Sequence, residues 1–124
     1  MVTDVNKTLD YYINNLGFEL TDTNPDSGTY EWGYVKVGEV GLMFQEAASL
    51  KKEYKELSDY VIGGALTFYI KVKNIQELYQ DVQDKVEVIK SLNKTFYGAY
   101  EFAIKDINGY ILTFAELVQL GLNK

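Results

Sequence analysis

From Val5 onward, apolar residues recur at helical spacing. Within "VNKTLDYYINNLGF", Val5, Leu9, Tyr12, Ile13 and Leu16 fall on one face of a 3.6-residue repeat, which predicts a first helix started by Asp4 or Asn6 and stopped by Gly17. The period then changes to two. "FELTDTN", "TYEWGYVKV" and "GLMFQE" read as three strands, separated by a turn over 24–28 that holds the only Pro and by a second turn over 38–40. Helical spacing returns in "SLKKEYKELSDYV", where Leu50, Tyr54, Leu57 and Val61 share a face until Gly63 and Gly64 break it. "ALTFYIKV" predicts a strand. "NIQELYQDV" predicts a helix with Ile75, Leu78, Tyr79 and Val82 on one stripe and with Asn74 and Glu77 at capping-box spacing. "VEVIKSL" and "TFYGAYEFAIKDINGYILTFAE" supply three more strands, the last two joined across Asn108-Gly109 and ending in the carboxylate of Glu116.

The same order of elements occurs twice. Val2 and Val72, Asp4 and Asn74, Leu42 and Leu112, Phe44 and Phe114, and Glu46 and Glu116 are all separated by the same interval. This register predicts an α+β fold of paired βαβββ modules within a single domain, 1–124. The first module spans 1–47, a helical connector 48–64, the second module 65–117 and a C-terminal tail 118–124. A strand matching 65–72 would need residues upstream of Met1, so the first strand is expected to be short.

Composition narrows the chemistry. Twelve Lys and Arg against 18 Asp and Glu leave a formal charge of −6, which disfavours nucleic acid and anionic membrane and weakly favours a basic ligand. No run of about 18 apolar residues is present and Met1 leads into "VTDV" without a basic or apolar leader, so a cytoplasmic protein off the membrane is expected. The chain has neither Cys nor His. It therefore has no disulfide, no thiol nucleophile, no Ser-His-Asp or Cys-His relay, and none of the imidazole or thiolate ligands usual for zinc, nickel or non-haem iron. "DINGY" lacks the alternating acids of a calcium loop. No cofactor, no metal site and no catalytic residue is expected.

Together, "TDVNKTLDYYINNLGFEL", "GLMFQE" and "YGAYEFAIKDINGYILTFAE" resemble the vicinal oxygen chelate superfamily, in its glyoxalase, bleomycin resistance protein and dioxygenase branch. Tyr97-Gly98, Glu101-Phe102, Asp106, Asn108-Gly109 and Phe114-Ala115-Glu116 carry most of the likeness, which covers nearly the whole chain. The resemblance implies a U-shaped mixed sheet with helices on its convex side and a ligand cavity on its concave side, often in a homodimer. It also implies metal-ligand positions on the first and last strand of each module. Here these fall on Thr67, Met43 and Thr113, with the fourth upstream of Met1, and none suits the family's metals. Tyr97-Gly98 stands where drug-binding relatives commonly show Trp-Gly, and Tyr100 where many carry Arg.

Strand alternation assigns Leu42, Phe44, Phe68, Ile70, Leu112 and Phe114 to the helix-packed side, and Met43, Gln45, Thr67, Tyr69 and Thr113 to the concave side. Val35 and Val37 share the core face of their strand, leaving Tyr30, Trp32 and Tyr34 on the other. Tyr97 and Glu101, the one acid placed to reach the cavity, complete the expected ligand-binding set. Such a lining suits a planar, preferably cationic organic molecule, and an aromatic stripe equally suits a dimer interface. Glu46 and Glu116 are expected at the rim or capping a helix. Three functions follow: metal-independent binding of a small organic molecule, as in bleomycin-resistance proteins; a glyoxalase-like lyase or ring-cleaving dioxygenase, disfavoured by the ligand positions; or an interaction or regulatory module. A homodimer is expected, because an incomplete first strand leaves a sheet edge and a concave apolar surface uncovered.

Overall fold

The computed structural model describes residues 1–64 and 66–117. Ala65, which the pattern puts at the head of a strand, and the tail 118–124 lie outside the described residues. The chain divides into two units, one formed by Met1–Gly64 with Ile107–Gly109, the other by the rest of the described residues.

In the first unit the Asp4 carboxylate accepts the Lys7 N–H at 3.0 Å and starts α1 (Val5–Asp10). The helix continues as a π-helical turn over Tyr11–Asn15, with the Leu16 N–H reaching back to the Tyr11 carbonyl at 3.3 Å, and ends at Gly17, whose φ of +79° suits glycine. Of the expected stripe, Val5, Leu9, Tyr12 and Leu16 are buried and Ile13 is only half-buried. This stripe covers an antiparallel sheet of β1 (Glu19–Asn24), β2 (Trp32–Val37) and β3 (Val40–Gln45), in that order. Leu9 lies directly on Gly33, where a Cβ would sit 2.8 Å from its methyls, and Tyr12 packs on Phe18 and Phe44 with ring centroids 5.3 and 4.7 Å apart. The short first strand is reduced to one parallel bridge: Val2 donates to the Gln45 carbonyl at 2.9 Å and accepts from the Ala47 N–H at 2.8 Å. The equivalent bond at the expected interval is present in the second unit, where Val72 donates to the Ala115 carbonyl at 2.8 Å.

The connector departs from its predicted form. Its helix, α2 (Ala47–Glu53), starts earlier than the periodicity suggests because Glu46 accepts the Ala48 and Ser49 N–H groups, each at 3.0 Å. It stops at Tyr54, which is extended, and a single 3₁₀ turn over Lys55–Leu57 follows. No residue of α2 is buried and Val61 is 80 % exposed, so the apolar stripe lacks the packed face that would sustain a longer helix.

The second unit holds a four-stranded sheet in the order β4 (Thr67–Lys71), β7 (Ile111–Leu117), β6 (Ala99–Lys105), β5 (Glu87–Lys94). β4 runs parallel to β7 and the other pairs are antiparallel. The register Phe102↔Phe114 and Ile104↔Leu112 gathers these four side chains, all buried, on one face. There α3 (Ile75–Val82) covers them, Tyr79 meeting Phe102 edge-on at 4.9 Å. β6 and β7 are joined through a loop longer than the Asn-Gly pair alone: Asp106 and Tyr110 exchange two 2.8 Å bonds across it, and Gly109 takes φ +89°.

The capping box expected at α3 does not form. Asn74 is held in the left-handed region and caps nothing with its side chain, while Glu116, from the end of β7, accepts the Asn74 and Ile75 N–H groups at 3.1 Å each. A carboxylate 42 residues away thus replaces the local one. Glu116→Ala should lower unfolding stability by about 1 kcal/mol. Glu77→Ala, at the exposed capping-box position, should lower it by less than about 0.5 kcal/mol. Denaturant titration of both variants measures the difference, and equal losses would return the cap to Glu77.

Candidate functional site

In the second unit, the sheet face turned away from α3 is built on small residues. Ala99, Ala103 and Ala115 are all buried, and the pairs Ala103↔Thr113 and Glu101↔Ala115 place Glu101 among them. Little side-chain bulk stands beside the carboxylate, which leaves room for two phenols to reach it. Tyr69, beside Thr113 on β4, donates its hydroxyl to Glu101 Oε2 at 2.5 Å, and Tyr97 donates to the same oxygen. Glu101 is 5 % exposed, whereas the two tyrosines are about half exposed, at 50 % and 53 %.

Tyr97 is brought there by the turn joining β5 and β6. The Thr95 N–H donates to the Ala99 carbonyl at 2.7 Å, the Ala99 N–H returns to Thr95 Oγ1 at 3.0 Å, and Gly98 takes φ +84°, a region that disfavours side chains. The same turn leaves Phe96 99 % exposed, its ring edge-on to Tyr97 at 5.0 Å. Hydrogen bonding to Glu101, and after it desolvation, raises the pKa of both phenols above the ordinary tyrosine value.

The first unit carries a second aromatic patch. The pairs Trp32↔Gln45 and Tyr34↔Met43 put these four residues on one face, opposite Gly33 and Val35. The Trp32 and Tyr34 rings lie 6.2 Å apart, and Tyr34 lies across Gly41, where a Cβ would come within 2.6 Å of its ring. Met43 is 67 % exposed. Gln45 is tied to the connector, donating to Ser49 Oγ at 2.9 Å and to Glu53 Oε1 at 3.2 Å. Tyr30 precedes β2, so strand alternation does not assign its face; Asn6 of α1 holds its N–H at 2.9 Å.

The expected ligand-binding residues therefore fall into two groups. Trp32, Tyr34, Met43 and Gln45 form one face, with Tyr30 at its edge; Thr67, Tyr69, Tyr97, Glu101 and Thr113 belong to the other unit. Hidden from sequence reasoning were the residues that make room: Gly41 beneath Tyr34, and the three alanines around Glu101. Their signal was the small residue at alternate positions of β6, Ala99 and Ala103, flanking a lone acid. Thr67, Met43 and Thr113 offer no carboxylate, imidazole or thiolate to a metal, and the described residues contain no group of three or more His, Cys, Asp or Glu able to hold one. A cavity of about 440 Å³ at the start of α3 lies on the opposite side of the sheet; of its two carboxylates, Glu116 is committed to the cap and Glu77 is exposed.

The raised phenols give a pH dependence. A phenol whose pKa is higher in the folded than in the unfolded chain contributes stability fully present below pH of about 10, and that contribution is lost as pH rises through the folded value. Spectrophotometric titration should show Tyr69 and Tyr97 ionising above the ordinary tyrosine range, with stability declining above pH of about 10. Glu101→Gln should return both to the ordinary range; an unchanged titration would remove the carboxylate from its place between them.

Comparison with known proteins is consistent with this architecture. A solved protein of unknown function from Agrobacterium tumefaciens str. C58 superposes with a TM-score of 0.78 at 21% identity, covering 95% of this chain and 89% of that one. The antibiotic-binding protein TnmS3 from Streptomyces sp. CB03234 gives 0.69 at 18% identity, covering 94% and 88%. The bleomycin-binding protein of bleomycin-producing Streptomyces verticillus, solved with copper(II)-bleomycin, gives 0.62 at 18% identity, covering 96% and 90%. At these identities the likeness is one of fold. No curated protein matches the chain. The family model for the Glyoxalase/Bleomycin resistance protein/Dioxygenase superfamily matches residues 1–114, and with β4 parallel to β7 and the Val2 bridge repeating that pairing in the first unit, the chain belongs to this superfamily.

Proposed function

We propose that the protein binds a small, planar organic molecule without metal-dependent chemistry. The observation that carries this reading is the pairing of part-exposed aromatic rings with small residues: Tyr69 and Tyr97 reaching Glu101 among the alanines of one sheet, and Tyr34 over Gly41, with Trp32 beside it, on the other. Aromatic faces left open in this way stack flat ligands. The fold neighbours that bind bleomycin and another antibiotic support the reading. Lyase or dioxygenase chemistry is disfavoured because Thr67, Met43 and Thr113 stand where the superfamily's metal ligands belong.

A ligand of this kind should quench the single Trp and raise the melting temperature, and both effects should survive treatment with a chelator. Trp32→Ala should weaken binding at the first unit's face, and Tyr97→Ala binding at the second unit's face, severalfold beyond the effect of the lost contact area. A broad set of planar aromatic compounds that neither quench nor stabilise would discard the reading in favour of an interaction module.

The protein also acts, on this reading, as a homodimer in the cytoplasm. Phe96, 99 % exposed at a turn tip, favours a protein contact there. Light scattering should give twice the 14.2 kDa chain mass, and Phe96→Ser should shift it toward the monomer. A mass of one chain, unchanged on concentration, would refute the dimer.

A further inference from the structure

We infer that Glu101 is a recognition group for an N–H-bearing cation, such as a protonated amine or amidine, carried by the planar ligand; this rests on the binding reading above and specifies its chemistry. A carboxylate has room for about four hydrogen bonds on its two oxygens. Both bonds to this one, from Tyr69 and Tyr97, arrive at Oε2, and Oε1 takes none from any described residue. Nor does a described Lys form an ion pair with it. Lys71 stands in the same cross-strand row, one strand beyond Ala115, yet is exposed and makes no such bond. The carboxyl group as a whole is 5 % exposed, yet Oε1 is not among the side-chain atoms sealed from solvent without a partner, so it is open to a donor from outside.

The two phenols act as positioning residues. They fix the carboxylate from one side, so its second oxygen keeps one direction, and their half-exposed rings present π faces beside it, which attract a cation as well. A ligand whose flat body stacks on these rings and whose N–H⁺ reaches Oε1 meets charge, donor and ring requirements together. A charge-assisted hydrogen bond in such a site separates it from a neutral analogue by about tenfold or more in affinity. The overall charge of −6 adds a weaker, salt-sensitive attraction of the same sign.

Three probes of one aromatic body distinguish the possibilities: naphthylmethylamine, its trimethylammonium analogue and naphthalenemethanol, titrated by calorimetry at neutral pH. The amine should bind at least about tenfold tighter than the alcohol, with the trimethylammonium compound between them, since it keeps the charge and lacks the N–H. Glu101→Gln should bring the amine-to-alcohol ratio close to one, while Glu116→Gln, on the other sheet face, should leave it unchanged. Tyr69→Phe and Tyr97→Phe keep the carboxylate and its charge and remove the donors that position it, so the ratio should fall part of the way while staying above one, a graded loss that tests the proposal even where Glu101→Gln fails to fold. Equal affinities for amine and alcohol, or a ratio that survives Glu101→Gln, would overturn the recognition role while leaving ligand binding intact, and a ratio unmoved in both Phe variants would overturn the positioning role of the phenols. A trimethylammonium compound as tight as the amine would overturn the hydrogen bond to Oε1. Binding of none of the three probes would remove the binding reading and this role with it.

Discussion

The register between β6 and β7 is the constraint on which the second unit depends. With Phe102 opposite Phe114 and Glu101 opposite Ala115, one face becomes a buried aromatic and aliphatic layer under α3, and the other becomes alanine, threonine and a single acid. Side chains alternate with a period of two, so a slip of one residue would exchange the faces, placing Glu101 in the core and Phe102 among the tyrosines. The Asp106–Tyr110 loop, closed by two 2.8 Å bonds, pins this register at one end, and the Val72 and Glu116 contacts hold the far end of β7 to the chain between β4 and α3. The fold and the site are thus two sides of one pairing.

Much of this was legible in the chain. Helical and strand periods predicted the element order, and the constant interval between paired residues predicted a duplication whose clearest mark is the matching of the Val2–Gln45 and Val72–Ala115 bonds. The buried Ile70, Leu112 and Phe114 and the opposite face of Tyr69 and Thr113 follow from alternation alone. What alternation cannot give is distance along the sheet. That Tyr69 and Tyr97, on opposite sides of α3 and β5 in the sequence, meet on one oxygen of Glu101 depends on strand order and on the geometry of the Gly98 turn.

The local rules that failed did so because a distant group supplied the same need. The Asn74–Glu77 pair has the spacing of a capping box, but Glu116 satisfies those N–H groups first, leaving Asn74 free to take the left-handed turn into the helix. The connector's stripe keeps helical spacing from Leu50 to Val61, but a helix of that length needs a face to pack on, and α2 buries nothing. Conversely, Asn6, weighed only as a possible cap, serves as a clamp, its side chain accepting the Tyr30 N–H and donating to the Gly28 carbonyl at 2.8 Å.

The cap on α3 has a consequence for the order in which the chain assembles. An eight-residue helix is marginal by itself, because nucleation costs more than a few hydrogen bonds return. Its first turn is completed here by a residue of the last strand, so full helicity waits on closure of a long loop and on the arrival of β7 beside β4. During synthesis the helix leaves the ribosome well before that strand. The second unit is therefore a late, all-at-once event: helix onset, parallel pairing and burial of the phenylalanine layer form together, and a chain arrested before Glu116 holds none of them securely.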